Sequence, residues 1–216
     1  MKNLWKKSVK SLTLVALLLL TCGLSARSQN TAGKRIAELD ELDFKEMINS
    51  VDLGKYADDI KKSQMDEGKK IFEALKSKGC NVETFKNKEI ILVTIPAKLL
   101  FAPNQTELDS KAGEILDHFK KFLKEPDKYR VLLTMHTDNT GSEFYREEIT
   151  EERVEAIFDW FEKAKNVDTT YLFTYSFGDA TPLVDNDSHQ NRDKNRRLEI
   201  YIVPGQKMVD QYKKMK

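Results

Sequence analysis

Residues 135–161 read MHTDNTGSEFYREEITEERVEAIFDWF: a strand end, a polar loop and a helix in one stretch. The loop concentrates Asp, Asn, Thr, Gly and Ser, which turns favour because their side chains bond the backbone or permit positive φ. Val154, Ile157, Phe158 and Phe161 then recur at helical spacing, which predicts a helix over 151–165 with that face buried. Thr150 reads as its N-cap, with Glu151 and Glu152 next and Ile149 and Val154 spaced as a hydrophobic staple. On this reading Arg153 is at N3, where the positive end of the helix dipole disfavours a cation. Such a residue needs a reason to be there.

Upstream, EIILVTIP (89–96) is a continuous apolar, β-branched run, the pattern of a strand covered on both faces. A helix opening at Asp109 or Ser110 follows, with the stripe Ile115, Leu116, Phe119, Phe122 and Leu123 and with Pro126 after its end. YRVLLTM (129–135) is a second strand. Tyr171, Phe173, Tyr175 and Phe177 alternate through a third, and RLEIYIV (197–203) is a fourth with Leu198, Ile200 and Ile202 on one face. Strand–helix–strand connections imply right-handed crossovers and parallel pairs, whereas the last two strands allow an antiparallel pair. The expected architecture is an α/β (α+β sandwich) domain over 86–205, in the order β-α-β-α-β-β, with a mixed four-stranded sheet and helices packed on it.

Residues 1–28 are read as an export signal: Lys2, Lys6, Lys7 and Lys10 precede the apolar run Leu12–Leu20, which is short for a membrane span. Two endings fit. Cleavage after Ala26-Arg27-Ser28 starts the mature chain at Gln29; alternatively, Leu19-Leu20-Thr21-Cys22 is a lipobox and Cys22 becomes a lipidated first residue. The 216-residue chain has 36 Lys and Arg against 35 Asp and Glu. Residues 1–28 carry five of the basic residues and no acid, so the remainder holds 31 basic against 35 acidic side chains, net −4. That balance argues against nucleic acid. Cys80 alone cannot form an internal disulfide and reads as a small packing residue at a loop. Residues 29–85, with stripes at Ile36, Leu39 and Leu42 and at Ile71, Phe72 and Leu75, read as a helical spacer outside the core. In it Gly54 and Gly68 interrupt the pattern and Gly79 ends the second helix. The segment is too short for an eight-stranded membrane barrel. Residues 206–216 read as a tail.

Four motifs occur in order: LLFAPNQTEL, HTDNTG, ITEERVEAI and NRRLEIYI. Together they resemble the OmpA-like C-terminal domain, the peptidoglycan-associated family of outer-membrane OmpA-family proteins and Pal-type lipoproteins, over roughly 89–204. The resemblance implies a non-enzymatic domain without cofactor that grips the diaminopimelate of the peptidoglycan stem peptide. It assigns the ammonium group to Asp138 and the carboxylate to Arg153, fifteen residues on. Thr140 and Gly141 belong to the loop whose N–H groups line the site, Asn104 matches the asparagine of the first-strand motif, and Asn195, Arg196 and Arg197 match the family's NRR. A carboxylate facing a guanidinium complements a zwitterion, and the planar fork of arginine binds a carboxylate in a bidentate way that lysine does not. The chain departs from the pattern at Ala102, Met135 and Arg146, where an aspartate, a glycine and an asparagine are common.

Blander readings stand beside these. Asp138 serves equally as a loop cap, and Arg153 as a surface partner of Glu147, Glu148 or Glu151. Arg196 and Arg197 are expected in structural ion pairs or at the cleft rim. His136, Asp138 and Ser142 suggest a hydrolase only superficially, because no nucleophile elbow is present and His118, His136 and His189 are scattered; the same scatter disfavours zinc. The ladder Tyr171–Phe177 reads as core, and DNDSHQNRDKN (185–195) as a polar loop without EF-hand spacing. The leading expectation is a periplasmic anchor of a Gram-negative envelope, partnered by peptidoglycan and by outer-membrane or periplasmic proteins. The alternative is a periplasmic interaction module of the same fold without wall binding.

Overall fold

The structure, a computed structural model, describes residues 42–215; the expected export signal, both of its proposed endings, Cys22, and Ile36 and Leu39 of the first stripe lie outside them. Residues 42–47 are helical. The elements that follow are α1 (Ala57–Leu75), β1 (Asn81–Phe85) and β2 (Ile90–Pro96). Next come α2 (Gly113–Leu116), continued as a 3-10 helix over Asp117–Leu123, then β3 (Tyr129–His136), α3 (Glu143–Glu162) and β4 (Leu172–Ser176). The chain ends with α4 (His189–Asn195), β5 (Arg197–Pro204) and α5 (Gln206–Met215).

The sheet has five strands in the order β1-β2-β5-β3-β4. It is mixed, as expected, with β3 and β4 parallel and the other neighbours antiparallel. Two expectations about it need correction. The fourth predicted strand, β5, does not pair with β4 but inserts between β2 and β3, so the strands joined through α2 are parallel without being neighbours. Central placement explains why all eight residues of β5 are buried. The fifth strand, β1, comes from the segment expected to be helical spacer. Its sequence, NVETF, is almost wholly exposed at the sheet edge, so it carries no apolar signature.

The described part of that spacer belongs to the domain rather than preceding it. Ile60, Ile71 and Leu75 of α1 share one core cluster with Val131, Leu133, Leu198 and Ile200, and the amide of Gln64 donates to the carbonyls of Glu89 and Ile202. Gly68 does not interrupt the helix; it faces Ile91, and a Cβ there would meet Ile91 Cγ2 at 3.7 Å, an ordinary packing contact. Gly79, at φ +79, is the expected left-handed stop. Cys80 is buried in the core, and burial pushes its thiol up to about 11.

All five residues of the expected stripe, Ile115, Leu116, Phe119, Phe122 and Leu123, are buried. The opposite face of the sheet holds Leu132, Tyr175, Phe177 and Tyr201, with the Phe44 ring edge-on to the last three. The described part of the expected tail, residues 206–215, is the helix α5, which buries Met208 and Val209. Part of the polar loop 185–195 is the short helix α4, capped by Ser188 Oγ accepting from the Asn191 amide. No helix among the described residues is long and apolar enough to cross a membrane.

Candidate functional site

Asp138 lies one residue beyond the Thr137 amide, which extends the sheet by donating to Gly178 O at 2.8 Å. One carboxylate oxygen accepts from the Thr140 amide, at 2.8 Å, and from the Thr140 hydroxyl. The other accepts from the Arg196 guanidinium, which also reaches Asp193. Burial alone would raise the Asp138 pKa, but the Thr140 and Arg196 contacts outweigh it and hold the carboxyl below its usual range. Its side chain is only 1% exposed. The loop-cap and ion-pair readings of Asp138 and Arg196 are therefore both realised, in one cluster.

The helix carrying Arg153 begins eight residues earlier than the sequence reading placed it. Ser142 Oγ accepts from the Tyr145 amide as the N-cap, and Glu143 stands in the first turn. Thr150 is inside the helix, its hydroxyl donating back towards the carbonyls of Arg146 and Glu147. Arg153 is thus not at N3, and its placement has nothing to do with the dipole. It sits on the core side, in the buried series Ile149, Arg153, Val154, Ile157 and Phe161. Nor does it pair with the neighbouring glutamates.

Arg153 is 5% exposed, and among the described residues no carboxylate faces it within ion-pair distance. Its Nε donates to Gln105 O at 2.9 Å and one Nη to Ala102 O at 3.4 Å. The guanidinium carbon lies 4.9 Å from the Phe101 ring centroid. Burial lowers its pKa, with Tyr145 raising it and the charge of Arg196 lowering it further. An arginine stays protonated regardless, so the site holds an uncompensated cation, costly unless an anion completes it.

Tyr145, overlooked in the sequence, ties the remaining residues together. Its hydroxyl donates to Asn104 Oδ1 at 3.2 Å, and Asn104 holds a left-handed conformation at φ +57. Gly141 has φ +84, and a Cβ on it would come within 2.7 Å of Tyr145 Cδ1. The ring therefore packs where only glycine allows. Arg146 is not a loose cation in the cleft: it pairs with Asp179 at 2.8 Å and donates to Gly141 O at 2.6 Å. The expected residues therefore meet in two groups, Asp138–Thr140–Arg196 and Asn104–Tyr145–Gly141, with Arg153 sensing both Tyr145 and Arg196.

Other motif residues serve the scaffold. Asn195 bonds the amides of Leu183 and Val184 and the carbonyl of Val184. Arg197 pairs with Glu199 at 2.6 Å and reaches Thr181 O. Burial lowers the His136 pKa, and its ring is enclosed by Thr134 and Thr181. Burial would raise Glu199, yet His136, Arg197 and Tyr201 bring it down to about 2. Among the described residues no His, Cys, Asp and Glu cluster could hold a metal ion.

Fold and site define a class: an α/β binding domain with a buried guanidinium and a held carboxylate beyond the C-terminal end of β3. Residues 100–196 match the model of the OmpA family. The family is non-enzymatic. The outer-membrane lipoprotein YfiB of Pseudomonas aeruginosa is 31% identical over 110 residues, covering 51% of this chain and 64% of YfiB. The peptidoglycan-binding protein ArfA of Mycobacterium tuberculosis is 33% identical over 89 residues, 41% of this chain and 27% of ArfA. The chain thus spans less than two thirds of either relative. A MotB-like protein from Desulfovibrio vulgaris has the same fold, with a TM-score of 0.59 at 20% identity over 69% of this chain and 99% of that one.

Proposed function

We propose that the protein binds peptidoglycan non-covalently and anchors an envelope layer to the cell wall, gripping the zwitterionic end of diaminopimelate. One observation carries this reading: Arg153 is a buried guanidinium whose only hydrogen bonds among the described residues go to carbonyl oxygens. A ligand carboxylate supplies the missing anion. Asp138, held ionised, takes the ammonium group once Arg196 gives way. Arg196 is 34% exposed, so it can swing. The exchange keeps the charge at Asp138 balanced and turns a second guanidinium towards the ligand carboxylate. Charge-assisted bonds of about 1.5–3 kcal/mol each, less the cost of ordering the ligand, give roughly micromolar to millimolar affinity for one stem peptide. Rebinding along a repetitive polymer strengthens attachment. The OmpA-family match, the peptidoglycan-binding relative and the expected export signal support a periplasmic, outer-membrane-associated protein.

The burial of Asp138 favours a second reading, in which the site is closed for structure and the domain serves protein interaction. Sedimentation with purified peptidoglycan separates the two. The anchor co-sediments and loses this with Arg153→Ala; an interaction module stays in the supernatant.

A further inference from the structure

Beyond the N-terminal ends of β3 and β4 lies an open depression of about 440 Å³, lined by Asp117, His118, Lys120, Lys121, Lys124 and Lys165 among others. Two chain segments form it: the 3-10 helix with the residue after it, and the turn that follows α3. The Asp168 amide, donating to Leu123 O at 2.8 Å, fastens them together. Lys120 pairs with Asp117 at 2.6 Å and lies 4.4 Å from the Trp160 ring centroid, and Lys121 pairs with Glu67 at 2.5 Å. Lys124 and Lys165 are exposed and form no ion pair among the described residues. Glu125, next to Lys124, is occupied by Lys128 at 2.9 Å and Lys207 at 3.5 Å, while Glu162 and Asp168 flank Lys165 in the chain. The lining itself carries Lys120, Lys121, Lys124 and Lys165 against the single acid Asp117.

We infer that this depression binds phosphate-bearing anions, and that its occupant is the headgroup layer of an anionic membrane. Lysines on flexible stems attract phosphate as point charges, without the fixed fork that arginine gives a single small ligand. The site is open to solvent, which suits a surface. Asp138 and its loop lie beyond the other ends of the same strands. At about 3.3 Å per residue, the length of β3 separates the two sites by roughly 25 Å. One domain can then face the wall at one end and a membrane at the other. That orientation rests on the proposed wall binding; the anion chemistry does not.

The test is sedimentation of the mature protein with phosphatidylcholine vesicles, with and without phosphatidylglycerol. Comparing the two vesicle types cancels any lipid or apolar tether at the N-terminus. The expected result is roughly ten- to thirtyfold preference for the anionic vesicles, from two unpaired lysines, lost in Lys124→Glu/Lys165→Glu while peptidoglycan binding persists. Equal binding to both vesicle types overturns the inference. Shifts in the amide resonances of Lys124 and Asn166 on adding inorganic phosphate, without any vesicle preference, would reassign the site to a small soluble anion and overturn the membrane. Vesicle preference in a protein that does not bind peptidoglycan would support this inference and sink the anchor reading.

Discussion

The guanidinium of Arg153 lies 4.9 Å from the centroid of the Phe101 ring, buried and facing carbonyl oxygens, with no carboxylate partner among the described residues. The ring and the two carbonyls fix its plane, so its orientation exists before any ligand arrives. A preorganised cation of this kind loses little entropy on binding an anion.

Arg153→Lys retains the charge but not the fork. It should weaken peptidoglycan binding about ten- to hundredfold, the loss of one charge-assisted bond, with a far smaller change in melting temperature. Quantitative co-sedimentation alongside thermal melts checks this. Equal losses in binding and stability would instead assign Arg153 to the loop it bonds.

Asp138 titrates below the ordinary carboxylate range in the folded state. A depressed carboxylate stabilises the fold above its unfolded pKa, about 3.9, and that stability is lost as pH falls through the folded value. Melting temperatures measured from pH 7 downward should fall in this acid window, and Asp138→Asn should flatten the fall. An unchanged profile in the variant would show that the Arg196 contact contributes nothing.

Glu151 behaves in the opposite way. Glu151 is exposed; partial desolvation raises its pKa, and Glu155, Glu152, Glu147 and Glu148 raise it further, an effect that solvent screens. A raised carboxylate makes the fold most stable below its unfolded pKa and costs stability as pH rises through the folded value. Glu151→Gln should therefore stabilise the protein at neutral pH by several tenths of a kcal/mol, since it removes like-charge neighbours on one helix. Chemical denaturation at pH 7, repeated in acid, should show the gain shrinking as pH falls.

Gly141→Ala imposes a left-handed alanine, at about 1–2 kcal/mol, and drives a Cβ into the Tyr145 ring. Lower stability and weaker wall binding are expected together. Tyr145→Phe isolates the hydrogen bond to Asn104 and should cost about 1 kcal/mol or less. If Gly141→Ala binds the wall normally, the loop's shape is irrelevant to the site.

A chain starting at residue 86 should fail to fold cooperatively, because it lacks α1 and β1 and bares Ile91 and Val93. A chain starting at residue 42 should fold. Amide dispersion and thermal melts compare the two, and a well-folded shorter chain would restore 42–85 to the status of a spacer.

What was legible followed from local apolar pattern. The continuous runs of β2 and β5 and the stripe Ile115–Leu123 are readable because burial on both faces, or on one helical face, leaves a periodic trace. Edge strand β1 buries almost nothing and leaves none. Gly68 resembles a breaker in the sequence, yet it lies buried inside α1 against Ile91, a neighbour in another element. Thr150-Glu-Glu has the pattern of a helix start, although the helix is capped at Ser142. Asp138 and Arg153 stand out in the sequence through the resemblance of their motifs to a known family, whereas the helix dipole has no part in placing Arg153. The Asp138–Arg196 pair spans 58 residues, and the Tyr145–Asn104 bond spans 41. No local signal encodes either.

The most direct test of the central claim compares two soluble stem peptides, one with diaminopimelate and one with lysine in its place. They differ by the single carboxylate that Arg153 is held to bind. Calorimetric titration should show the diaminopimelate peptide binding roughly tenfold or more tightly, with the difference abolished in Arg153→Ala. Equal affinity for the two peptides in the wild-type protein would contradict the account.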